Sequence, residues 1–106
     1  MNHNMTFFGE TVLCIGAHPD DIELGCGALI ADIVDQTNVV CVTLSDNQKN
    51  PLLKDLTEEH NNSMRILGVK PENAILYDFT TRRFQAARQE ILEVMVGLKK
   101  QYHPEV

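Results

Sequence analysis

Within four positions, His18-Pro19-Asp20-Asp21, the sequence sets an imidazole and two carboxylates around a proline. Neutral imidazole and carboxylate are both zinc ligands, and a proline-set turn lets His18 and Asp21, three apart, aim at one metal ion. Asp20, between them, points elsewhere and can hold a water. A plainer alternative is purely local: proline suits the second place of a turn, Asp is a favoured helix cap, and a His before Pro is often just solvated. The flanks favour the chemical reading. An apolar run leads in, and Leu24-Gly25-Cys26-Gly27 follows, where small residues let backbone come close to a bound group.

Such a cluster needs a scaffold, and the hydrophobic pattern supplies one. Thr11 to Ala17 is a short apolar run that reads as a buried strand ending at His18. From Ile22 to Val34 the apolar residues recur at three- and four-residue spacings, as in a helix that Asp20 or Asp21 could cap. Asn38 to Leu44 is β-branched and nearly continuous in hydrophobicity, a strand buried on both faces and hence part of a parallel sheet. Leu52, Leu53, Leu56, Met64, Ile66 and Leu67 suggest a second helix stopped by Gly68 and Pro71, and Ala74 to Tyr77 a third strand. The stripe Phe84, Ala87, Ile91, Leu92, Val94, Met95 and Leu98 predicts a last helix that His103-Pro104 ends. Three strands alternating with three helices point to an α/β, Rossmann-like three-layer fold with a mainly parallel sheet, doubly wound by right-handed crossovers. Open parallel sheets bind ligands at the carboxyl ends of their strands, where His18 and its neighbours fall.

The stretch Ala17-His18-Pro19-Asp20-Asp21-Ile22-Glu23-Leu24-Gly25-Cys26-Gly27 resembles the signature of the PIG-L/LmbE superfamily of zinc-dependent N-deacetylases. That resemblance implies removal of an acetyl group from N-acetylglucosaminyl compounds or related amides, with Zn2+ as cofactor. It implies that His18 and Asp21 are zinc ligands and that Asp20 is the general base. The family's third ligand is a histidine in a segment beyond the fourth strand, so by resemblance it is expected beyond Val106. The donor to the leaving nitrogen is expected there too. Val42-Thr43-Leu44-Ser45-Asp46 resembles the end of the family's second strand, which makes Asp46 a candidate substrate contact, although Asn47-Gln48 replaces the family's usual Gly-Glu. Glu58 or Glu59 resembles the acidic residue of the family's second helix, with a solvated helix face as the simpler explanation. Arg82 and Arg83, after the third strand, could meet a sugar hydroxyl or phosphate through the guanidinium fork, Arg83 being the preferred candidate. His60, His103 and His3 are the other histidines, each explicable without a metal.

Composition narrows the class further. With 9 basic and 15 acidic side chains the net charge is -6, which argues against nucleic acid and against anionic membrane surfaces. No apolar run is long enough for a membrane span and no basic-then-apolar leader begins the chain, so a cytoplasmic location is the default. Cys14, Cys26 and Cys41 read as reduced thiols. At 106 residues the chain is a single α/β domain, residues 1–106, that reads as the amino-terminal half of a deacetylase domain and as inactive in isolation. The resemblance implies a small acetylated amino sugar as its partner, and a homo-oligomer is open. Two other classes compete. A Rossmann-like nucleotide-binding module shares the strand-turn-helix, but Gly16, Gly25 and Gly27 do not form G-x-G-x-x-G and two carboxylates stand where pyrophosphate would sit. A non-catalytic interaction domain would associate through exposed sheet edges.

Overall fold

The computed structural model describes residues 10–45, 56–80 and 83–106. The β-branched runs form strands β1 (Thr11–Gly16), β2 (Asn38–Thr43) and β3 (Ala74–Leu76), all parallel and ordered β1-β2-β3. Helices α1 (Asp21–Ile33), α2 (Leu56–Leu67) and α3 (Arg88–Tyr102) follow the three strands in turn, and a short 3-10 turn, Pro71–Asn73, leads into β3. The alternation, and with it the α/β class, is the one the hydrophobic pattern predicts.

Side chains alternate across the sheet because successive strand residues point to opposite faces. Val12, Val39 and Cys41 pack on one face with Ile22, Ile30 and Ile33 of α1 and Met64 of α2. Val40 and Val42 pack on the other with Leu98, Val94 and Tyr102 of α3. Three layers result, with the sheet in the middle. β2, central among the three, is buried on both faces from Val39 onward.

After α3 the chain returns to the side of β1 away from β2. Glu105 donates its backbone N–H to the Thr11 carbonyl at 3.0 Å, and Leu13 donates to Val106 at 2.8 Å. The outer edge of β1 is therefore covered at these residues. Connections lead to β2 on one side of β1 and return on the other, the reversal that places ligands beyond a strand's carboxyl end. β1 ends there at Gly16, directly before the cluster.

Two sequence expectations are corrected. α3 starts at Arg88, four residues later than its apolar stripe suggests, because Phe84 turns out of the helical line to stack on His18. The Asp20 side chain makes no capping hydrogen bond, and the Asp21 carboxylate is turned back to the His18 N–H. The Leu52 and Leu53 portion of the predicted second helix lies outside the described residues. Among the described residues no helix is long and apolar enough to cross a membrane.

Candidate metal and catalytic site

The site is built on a close approach. Gly16 ends β1 where a Cβ would stand 3.0 Å from Ile22 Cγ1 and 3.2 Å from Asp21 Cβ, so only glycine lets the first turn of α1 settle on the strand end. The chain then reverses through His18 and Pro19, and Pro19 is buried under the turn. Asp20 adopts a positive φ of 79°, in a region that Asp visits more readily than most side chains but still at a cost. This backbone kink leaves the Asp20 carboxylate exposed and starts α1 at the next residue.

Asp21 Oδ2 accepts the His18 backbone N–H at 2.9 Å and stands 3.3 Å from His18 Nδ1. Two ligand atoms on a tetrahedral zinc, each about 2.0–2.1 Å from the ion, lie about 3.3–3.4 Å apart. The pair thus has the spacing of one edge of such a site. A proton or a metal ion is what this arrangement of two Lewis bases accommodates, so the donor set fits zinc as far as two ligands can. The imidazole is fixed from its face by Phe84, stacked at 5.9 Å between centroids and 18° between planes. Its other nitrogen, Nε2, is buried with no hydrogen-bond partner.

No group of three His, Cys, Asp or Glu side chains that could hold a metal occurs among the described residues. His103 caps α3 at the end of the fold opposite the turn, and His3 lies outside the described residues. His60 is buried on α2 but is not gathered with His18 and Asp21. Cys26, Cys14 and Cys41 are free thiols. The Cys41 thiol, hydrogen-bonded to Cys14, is held above the usual range by that bond and by burial, and the same bond holds Cys14 below it.

Arg83 is exposed, precedes in sequence the Phe84 that packs on His18, and borders a shallow hollow shared with Asp78, Thr80 and Glu90. Asp46 and Arg82 lie outside the described residues. Glu58 and Glu59 are exposed on α2, as the solvated-face reading has it. Two features escaped the sequence reading. Phe84 looked like the first member of a helical stripe, and nothing in its spacing told otherwise. Glu23 has both carboxylate oxygens buried without a partner.

Residues 13–106 match the family model described as PIG-L, GlcNAc-PI de-N-acetylase. The Escherichia coli (strain K12) protein named "Uncharacterized deacetylase YaiS" is 32% identical over 95 residues, which are 88% of this chain and 50% of that protein. The chain therefore spans about half the length of the curated relative it matches. No solved structure matches it.

Proposed function

Since the chain belongs to the PIG-L (GlcNAc-PI de-N-acetylase) family, we propose that it carries the metal-binding turn and the general base of a zinc-dependent N-deacetylase acting on an N-acetylglucosamine-type or related amide. The observation that supports this reading most directly is the 3.3 Å separation of His18 Nδ1 and Asp21 Oδ2, with the adjoining Asp20 carboxylate left uncommitted.

His18 and Asp21 would hold the ion. The chemistry a zinc ion supplies there is Lewis acidity, which polarises an amide carbonyl and brings the pKa of water to about 7. Asp20, displaced from the helical line by its left-handed backbone, would take the proton from the water that attacks the carbonyl carbon. The C–N bond breaks, the leaving nitrogen takes up a proton, and acetate and a free amine result. His18 keeps its orientation through Phe84 on its face and Asp21 at its edge. Arg83, exposed and next to Phe84 in the sequence, is the first candidate to meet a sugar hydroxyl or phosphate, and Asp46 is the second candidate contact. The third ligand is expected outside these 106 residues.

The test is the complete product of the gene that encodes this chain. Purified protein is expected to carry stoichiometric zinc and to release acetate from an N-acetylglucosamine conjugate. Neither zinc uptake nor acetate release would overturn the assignment.

A further inference from the structure

The mechanism above leaves unused a buried carboxylate and a buried imidazole on neighbouring helices. Glu23 is the one Asp or Glu among the described residues that is not exposed, and neither of its carboxylate oxygens has a hydrogen-bond partner. His60 is 2% exposed, and neither ring nitrogen has a partner. A buried polar group without a partner is costly, and few are tolerated without a role.

The two lie in one seam. On α1, Glu23, Gly27, Ile30 and Val34 follow helical spacings of four, three and four, and the stripe faces α2: a Cβ on Gly27 would stand 4.0 Å from Leu67, and one on Gly68 3.0 Å from Val34. On α2, His60, Met64 and Leu67 form the matching stripe, with Met64 buried in the same core cluster as Cys41. Both helices run from the carboxyl to the amino ends of the parallel strands. Val34 lies eleven residues after Glu23 and Gly68 eight after His60, about 16 and 12 Å along the two axes at 1.5 Å per residue. Counted from the contact of Val34 with Gly68, Glu23 lies about 4 Å further toward the metal turn than His60, and counted from the approach of Gly27 to Leu67 it lies about 4 Å short of it, so the two side chains fall within about one helical turn of each other.

We infer that Glu23 and His60 are positioning residues for the metal turn: a His60 ring N–H and the Glu23 carboxylate are joined across the seam through one shared water. The contact fixes the first turn of α1, and with it Asp20 and Asp21, against α2. Asp21 and Glu23, two apart, face nearly opposite sides of α1, so the helix presents its ligand on one side and is tethered on the other. This inference rests on the zinc reading of His18 and Asp21. It adds two residues that never touch the metal or the substrate.

A double-mutant cycle on the complete gene product tests it, with Glu23→Leu, His60→Leu and the double variant read in two ways: zinc affinity by chelator competition, and urea unfolding of zinc-free protein. Each single variant is expected to bind zinc about 10- to 100-fold more weakly, as for other groups that support a ligand from behind. The double variant should be no weaker than the worse single one, because the second substitution removes the group the first left unpaired. His60→Gln, which keeps an N–H donor, should bind zinc within about twofold of wild type, the scatter within which independent effects add. Unchanged zinc affinity in both single variants, with only urea stability lowered, overturns the positioning role, and additive losses in both readouts overturn the pair itself. If wild-type protein takes up no zinc, the deacetylase reading fails instead. The zinc-free unfolding cycle then decides the pair alone, and additivity there overturns it.

Discussion

Asp20, Asp21 and His18 are three residues in one turn with different demands on them, and substitution should separate those demands. His18→Ala removes a candidate ligand and also the ring against which Phe84 packs. Asp21→Ala removes the other candidate ligand together with the acceptor of the His18 N–H. Both are expected to abolish stoichiometric zinc, measured by elemental analysis of purified protein. Asp20→Asn should keep zinc, since Asp20 is not one of the paired donors, while turnover falls about 10²- to 10⁴-fold, the range for loss of a general acid or base. An Asp20→Asn protein that lost its zinc as His18→Ala does would remove the distinction between base and ligand. At this scale the sequence was legible wherever a motif stood on consecutive residues. His18, Asp20 and Asp21 were readable because a turn keeps their relative geometry local. Phe84 and Glu23 were not, because stacking over 66 positions and burial in a seam between two helices are decided by tertiary packing.

At the level of elements, the strands were legible because β-branched residues buried on both faces leave little choice, and α1 because its apolar spacing begins where the turn ends. The start of α3 was misplaced for a physical reason. Phe84 satisfies the helical period but stacks instead on the imidazole face of His18, and the helix begins four residues later. Glycines carry the joints between elements. At Gly16 a methyl group would press on Ile22 and Asp21 at 3.0 and 3.2 Å, so Gly16→Ala is expected to lower stability by about 1–3 kcal/mol, as overpacking does, and to weaken zinc binding by shifting the turn. Gly68 holds a φ of 89° at the end of α2, where Val69 donates back to the Met64 carbonyl at 3.0 Å to close the helix. Gly68→Ala there should cost about 1–2 kcal/mol for the left-handed backbone. Its added methyl would also crowd Val34 at 3.0 Å, yet zinc affinity should hold because this joint lies at the far end of α1. Urea unfolding and chelator competition on the two variants separate a joint at the site from a joint away from it. Equal loss of zinc in both would show that α1 transmits any displacement along its length.

Among the described residues, the chain combines a formed turn with two candidate ligands, His18 and Asp21. The sheet places His18 and Asp21 at the carboxyl end of β1, where the chain reverses about that strand, and the packing on both faces of β2 gives the turn a firm base. Catalytic zinc is ordinarily held by three protein ligands with one position left open. Among the described residues no third donor joins the pair, and His60 and His103 are placed elsewhere. Since each ligand removes one exchangeable position from the ion, two ligands should hold zinc far less tightly than three. They also leave too many open positions for one substrate carbonyl to be oriented. The 106-residue chain by itself is therefore expected to bind zinc weakly, to release it on dialysis against a mild chelator, and to free no measurable acetate from N-acetylglucosamine conjugates. The complete gene product is expected to keep its zinc through the same dialysis and to release acetate. A purified 106-residue chain that retained zinc through dialysis and turned over substrate would show that the third ligand lies within it, and residues 46–55, which include Asp46, would be the first place to seek it.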